Sequence, residues 1–318
     1  MFGFVKKNFG RGGNTLVLLG LFFGLGLLLH FKEQFFPEGK LKATVEGLVS
    51  GTLTEKIDIL SDLSQIPPVE SSRVLLENGF EWEEVLNRRD FVYPAHDRTL
   101  SLQLVEHTGF SLGYNEKYEQ AAWVAYPLTK EHITGPGSRE RFFNPDPKVR
   151  TGSALFSDYT RSGYDRGHLA PAADFKSSQE LVKETFYMSN ISPQNREFNA
   201  GIWNDLEKLL RSWAYHYGKI YVVTGPVLKP GLPTIGKVNK IAVPEQFYKV
   251  VLYAKPPYLK GIAFLLNNEP SSQPLSKAVI SIDSLEKVTG LEFFPLLPVE
   301  VKEKVKMKSN PKEWYRLK

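Results

Sequence analysis

The segment SGYDRGHLAPAADF, residues 162–175, decides how the rest of the chain is read. It sets His168 behind a glycine and an arginine and just ahead of Pro171. A histidine that works as a base needs a fixed ring, and Gly167 beside it permits close backbone approach. Arg166 supplies a permanent cation suited to a phosphate. Taken alone, Asp165-Arg166-Gly167 is also an ordinary turn with a surface ion pair, so the neighbours must decide.

About twenty residues on stands FYMSNISPQNREFNAGIWNDLEKLLRSW, residues 186–213. Asn190, Gln194, Asn195 and Asn199 crowd a loop that enters a helix. Asn199 has a plain reading as the helix N-cap, its side chain accepting an orphan backbone N–H. Asn199, Trp203, Glu207 and Arg211 are four apart and follow one another along a helix face. Trp203 reads as core, and Glu207 with Arg211 as an exposed i,i+4 pair worth a few tenths of a kcal/mol. Side chains lean toward the helix N-terminus, so Glu207 leans back toward Asn199 across a rise of about 12 Å. That separation lets Glu207 reach a metal only through water.

At 318 residues and 42% hydrophobic, the chain is long enough for a full core. It has no cysteine, which excludes disulfides, thiolate zinc sites and cysteine nucleophiles. Of the net charge of +5, three positive charges fall before residue 15 and a surplus of four lies in 299–318, leaving about −2 for the body. Bulk charge is therefore no argument for a polyanion partner.

Leu16 to Leu29 is an unbroken run of Leu, Val, Phe and Gly, extended by Thr15 and by His30-Phe31 to about 17 residues. Its basic flank lies N-terminal and no small-residue cleavage site follows, so residues 1–36 read as an uncleaved signal anchor with the remainder translocated. This puts the main domain on the extracytoplasmic side, periplasmic or secreted, with the mitochondrial inner membrane as the alternative. Residues 37–91 read as a stalk or N-terminal elaboration broken at Pro67-Pro68.

The main domain is expected over 92–298, with a basic C-terminal tail over 299–318. Strands are read in 100–115, in EQAAWVAYPLT (119–129), where Pro127 suits an edge or strand end, and in 219–228, 245–254 and 261–268. Helices are read at 177–187 and 200–216, and from Ser284 to Thr289 with Asp283 and Glu286 as a capping box and Gly290 as the stop. Strands flank helices without βαβ alternation, which predicts a mixed α+β fold on a mainly antiparallel sheet.

In order and spacing, DRGHLAPAADF, TFYMSNISPQNREFNAGIWNDLE, VVTGPV and AVPEQFYKVVL resemble the DNA/RNA non-specific endonuclease family, the group of endonuclease G. The resemblance spans roughly residues 95–298 and implies a ββα-metal (His-Me finger) core within the α+β domain. It implies His168 as general base, Asn199 as the single direct protein ligand of Mg²⁺, and Glu207 as the carboxylate ordering that ion's waters. Mn²⁺ or another divalent cation would be accepted in its place. Arg166 and Asn190 are further active-site residues by the same match, Arg211 a substrate-binding arginine four residues past Glu207. GSRERFFNPDP, residues 137–147, matches the segment that supplies a phosphate-binding arginine, with Arg139 and Arg141 both open. If that segment is a strand, the two share a face.

The implied partners are DNA and RNA, a membrane through the N-terminal helix, and a second copy in a homodimer for which the sequence carries no interface signature. The chemistry is consistent: a neutral imidazole takes a proton from water, worth about 10²–10⁴-fold. Mg²⁺ keeps several of its waters, so one amide oxygen plus substrate phosphate makes a workable site. The alternative is an inactive membrane-tethered nucleic-acid-binding or interaction module. A serine hydrolase fails for want of a G-x-S-x-G setting and a zinc protease for want of HExxH.

Overall fold

The computed structural model describes residues 82–315 except Arg98, Pro257 and Lys308. The apolar run read as a signal anchor and residues 37–81 of the 37–91 stretch lie outside the described residues. Among the described residues no helix is long and apolar enough to cross a membrane.

In chain order the strands are β1 (Ala95–His96), β2 (Gln103–Glu106), β3 (Ser111–Asn115), β4 (Gln120–Thr129), β5 (Asp165–His168), β6 (Ile191–Gln194), β7 (Lys219–Pro226), β8 (Thr234–Ile235), β9 (Ile241–Ala242), β10 (Gln246–Lys255), β11 (Tyr258–Asn267), β12 (Val279–Ile280) and β13 (Leu291–Glu292). The helices are α1 (Trp82–Asn87), α2 (Gln179–Glu184), α3 (Asn204–Tyr217), α4 (Ile282–Thr289) and α5 (Val299–Met307). A seven-stranded sheet runs β12-β11-β10-β7-β4-β3-β2, every neighbouring pair antiparallel. The mixed, mainly antiparallel architecture is the one expected. Pro127 sits where β4 has outrun β3: the last β3 partner is Ala125, while β7 continues to pair through Thr129. On that side no strand remains for a backbone N–H at 127 to pair with.

Side-chain alternation gives the sheet two buried faces. Val124, Tyr126, Val222 and Val251 belong to one core with Trp203, Leu206, Leu210 and Trp213 of the α3 region. Ala125, Val223, Val250 and Leu252 belong to a second core with Ile282 and Leu285 of α4 and Val301 and Val305 of α5. Packed chain extends past both ends of the 92–298 span, since Trp82 and Phe91 join the second core and Trp314 the first.

α4 is capped differently from expectation. Ser281, not Asp283, is the N-cap, its hydroxyl accepting from the Ser284 N–H at 3.0 Å. Glu286 is drawn away by tertiary partners, the Phe293 N–H at 2.7 Å and Lys306. Gly290 ends the helix in the left-handed region, as expected.

Apart from the main sheet, β5 and β6 form a two-stranded antiparallel ribbon in which His168 pairs with Ile191 and Gly167 with Ser192. Residues 165–168 are thus strand, not turn. Gly167 is required by packing: a Cβ there would lie 2.0 Å from the Gln194 side-chain oxygen, and Gln194 is fully buried. Gly167→Ala should cost about 1–3 kcal/mol as an overpacked site and lower Tm by about 3–10 °C, read by thermal denaturation. An unchanged Tm would show that Gln194 moves freely.

Candidate active site

His168 closes β5 with its side chain 8% exposed, against Phe186 at 4.8 Å and Phe143 at 5.5 Å between ring centroids. The backbone behind it is pinned. Its carbonyl accepts from the Trp203 indole N–H at 3.4 Å, and the Leu169 N–H donates to the Asn190 carbonyl at 3.0 Å. Neither ring nitrogen has a hydrogen-bond partner among the described residues, and Nε2 is fully buried. Proton exchange with the cleft therefore falls to Nδ1.

Burial, with a smaller contribution from the Arg139 charge, pushes His168 down from 6.5 to about 3. The ring is neutral across the physiological range, the state a base requires. The unfolded chain protonates this histidine near 6.5, the folded one only near 3, so the unfolded state binds more protons between those values. Stability therefore falls as pH drops through that window. Thermal denaturation from pH 7 to pH 4 should show a shallower fall in His168→Ala than in the unsubstituted chain; identical slopes would contradict the buried neutral histidine.

Asn199 is not an N-cap. Its dihedrals are helical, and the capping is done by Asn195, whose side chain accepts from the N–H groups of Glu197 and Phe198 at 2.9 and 3.1 Å. Asn199 begins a π-helical turn, Asn199–Trp203, that precedes α3, and Gly201 within it leaves helical dihedrals. The four-apart face is therefore kinked between Asn199 and Trp203; such π turns often occur at functional sites. The Asn199 amide N–H donates to Asp165 Oδ2 at 3.1 Å, while Oδ1 has no partner among the described residues. A neutral oxygen oriented in this way suits a hard cation. No group of three or more His, Cys, Asp or Glu able to hold a metal occurs among the described residues. The Asn199 amide oxygen is the group here that a divalent ion could take as a ligand.

Glu207, on α3, is half-buried and hydrogen-bonds no protein group among the described residues. Burial raises its carboxyl, opposed by the Lys249 charge. The exposed i,i+4 pair with Arg211 does not form. Arg211 Nη1 instead reaches Asp174 Oδ1 at 2.9 Å, and Asp174 also accepts from the Tyr126 hydroxyl at 2.8 Å. Asn190 is fully buried and its amide is spent on backbone: it accepts from the Ala170 N–H and donates to the carbonyls of Ala170 and Thr185, all within 2.9 Å. It holds the turn after His168 rather than facing the cleft. Arg166 lays its guanidinium 4.3 Å from the Phe156 ring and 5.4 Å from Phe143, and its Nε has no partner among the described residues.

The two arginine candidates separate. The segment 137–143 is irregular, not strand, so the shared-face premise fails. Arg139 lies over Phe186 at 5.6 Å, and its charge is felt by both His168 and Glu207. Arg141 is exposed with no partner among the described residues.

Three neighbours of the site escaped the sequence reading: Asp165, which orients Asn199; Asp174, which holds Arg211; and Lys249. Lys249 projects from β10 into the core and is wholly buried. Its ammonium donates to the Leu169 carbonyl at 3.1 Å and Thr224 Oγ1 at 3.2 Å and lies 4.3 Å from the Trp203 ring. Its only signal in sequence was a charge inside an otherwise apolar central strand.

The site thus joins a β-ribbon bearing a neutral buried histidine to a kinked helix start bearing an amide oxygen, with buried carboxylates and a fixed cation around them. The chain belongs to the DNA/RNA non-specific endonuclease family, whose model matches residues 88–300. It is 38% identical over 207 residues to the mitochondrial nuclease EXOG of Danio rerio, covering 60% of each chain. It is 36% identical over 207 residues to human mitochondrial endonuclease G, covering 61% of this chain and 70% of that one. The match thus spans about 60% of the length of the zebrafish relative. The crystal structure of an EndoG/EndoGI complex superposes with a TM-score of 0.60 at 29% identity, over 70% of this chain and 95% of that one.

Proposed function

We propose that the protein is a divalent-metal-dependent endonuclease that hydrolyses phosphodiester bonds in both DNA and RNA. The observation that carries this reading is the buried His168, unpartnered among the described residues, on the same strand as the Asp165 that orients Asn199, whose amide oxygen has no partner among them.

His168 Nδ1 takes the proton from the attacking water. The Phe143 and Phe186 rings keep the imidazole fixed and dry. Arg139 meets the charge on the phosphate, and Arg166 adds a second cation on the Phe156 side. Asn199 would hold the ion, Mg²⁺ in this reading, and Glu207 would accept hydrogen bonds from its waters. When bound, the ion supplies charge to the phosphoryl oxygens and the departing 3′ oxygen. Arg211, committed to Asp174, acts as a positioning group beneath α3 rather than as a direct substrate contact. Contacts to phosphate at the scissile linkage leave the base and the 2′ position there unread, which suits cutting of both nucleic acids.

Incubation of the chain with supercoiled plasmid and with RNA, with Mg²⁺ or with EDTA, tests the reading. Cleavage of both only in the presence of metal is expected. No metal-dependent cleavage of either would leave the inactive binding module in its place. Arg139→Ala should lower kcat/KM by about 10–100-fold, the worth of a charge-assisted bond of about 1.5–3 kcal/mol. Arg141→Ala should stay within about threefold; the reverse ranking would reassign the phosphate contact.

For location, we propose anchoring through the apolar run 16–29 with the catalytic unit on the extracytoplasmic side. The mitochondrial names of the relatives favour the mitochondrial inner membrane as a second reading. Alkaline extraction of membranes should leave an anchored chain in the pellet; full release would contradict both placements.

A further inference from the structure

β8 and β9 form a small hairpin whose tip is Gly236-Lys237-Val238-Asn239-Lys240. Its stem is built into the wall of the candidate site. Ile235 and Ile241 pack in a separate apolar cluster with Tyr159, Met188, Ile191 and Phe143, and Ile191 is the register partner of His168. The Gln120 amide donates to the Ala242 carbonyl at 2.7 Å and accepts from Ser192 of the histidine ribbon at 2.6 Å.

The tip is also held. The Asn239 amide donates to Asp158 Oδ2 at 2.8 Å, and that carboxylate fixes the turn bearing Phe156, on which Arg166 stacks. Gly236 has φ +94° and no room for a Cβ, which would lie 2.2 Å from the Asn239 carbonyl oxygen. What this rigid tip presents is two exposed lysines without a carboxylate partner among the described residues and, between them, Val238 at 73% exposure. Exposed lysines on a loop are commonplace. Lysines flanking a bare apolar residue, on a tip stapled to the active-site wall, are not a solvated surface by default.

We propose that this hairpin is a second nucleic-acid contact, in which Lys237 and Lys240 engage backbone phosphates beyond the scissile linkage and Val238 covers the sugar edge between them. The inference rests on the nuclease reading for its ligand, a polynucleotide strand, and adds to it an extended footprint. Each phosphate contact releases counterions, so log K falls with log salt by about 0.9 per contact on duplex DNA.

The test uses the full chain carrying His168→Ala, so that binding is read without cutting, and a fluorescein-labelled duplex titrated by anisotropy at several salt concentrations. Adding Lys237→Gln and Lys240→Gln should make the salt slope shallower by about 1.8 and weaken binding at low salt by about tenfold or more. Lys237→Arg with Lys240→Arg should restore both. Lys287→Gln, on α4 against the opposite core, should change neither. An unchanged slope in the glutamine pair, an equal change in Lys287→Gln, or no binding at all would overturn the proposal. Cleavage by the unsubstituted chain is scored separately. Binding with this slope but no cutting would sink the hydrolytic reading alone; cutting with a slope indifferent to the hairpin would sink the hairpin alone.

Discussion

His168→Ala lowers kcat/KM on both supercoiled DNA and RNA by about 10²–10⁴-fold, the range general bases contribute. The loss must occur without unfolding for the assignment to stand. The imidazole makes no hydrogen bond among the described residues, so its removal orphans no partner; the cost is the space left between Phe143 and Phe186. The strand that carries it is held independently, by the β5–β6 ladder, the Trp203 indole and Asn190. Circular dichroism should therefore match the unsubstituted chain while both activities fall together. Loss of cleavage on only one of the two nucleic acids would contradict a base acting on water, since water is common to both reactions.

Asn199→Ala gives the second large effect. Outer partners of a metal site typically contribute about 10–100-fold in metal affinity or activity, and a direct ligand should reach at least the upper end. The divalent concentration that supports half-maximal cleavage should rise by about 100-fold or more. Tm should move little, because the Asn199 side chain caps no helix end and its one hydrogen bond among the described residues goes to Asp165. Asn195→Ala provides the contrast. It removes the side chain that accepts two orphan N–H groups, at a cost of about 1 kcal/mol and about 2–4 °C in Tm. Its requirement for divalent cation should be little changed. If instead Asn199→Ala lost Tm and kept its metal dependence, the asparagine would be a helix residue and nothing more.

The division between these two asparagines shows how far sequence reaches. Apolar runs placed β4, β7, β10 and β11 well, because a strand buried on both faces leaves a nearly continuous apolar stretch. Pro127 even marked the point where β4 loses its neighbour. The motifs carrying His168 and Asn199 stand out in the sequence, and the partners of those residues do not. Asp165, whose plain local reading is half of a surface ion pair, orients Asn199. Asn190 matches an active-site asparagine by motif, and its amide is bonded to backbone groups around His168. Arg211 was read as a substrate contact and is tied to Asp174, 37 residues away. Side-chain direction is set by tertiary packing, which no local spacing encodes. The same cause misplaced the α4 cap, where Phe293 and Lys306 compete for Glu286. It also hid Lys249, whose partners Leu169 and Thr224 lie on two other segments.

The buried charges also bear on why one fixed geometry results. Arg211 meets Asp174 in an ion pair almost closed to solvent, and removal of either partner would leave an uncompensated charge. Burial lowers Lys249 while the carboxylates of Glu207 and Asp174 hold it up, so the cluster balances only as a set. Trp203 links it to the histidine, its ring under the Lys249 ammonium and its N–H on the His168 carbonyl.

The central claim is that His168 activates water against the phosphorus, with the 3′ oxygen leaving. It is read most directly from the products made in ¹⁸O-water. Mass spectrometry of cleaved DNA and RNA should show one labelled oxygen per cut, carried on a 5′-phosphate, with a 3′-hydroxyl on the other fragment in both cases. RNA ending in a 2′,3′-cyclic phosphate, or label on a 3′-phosphate, would contradict it.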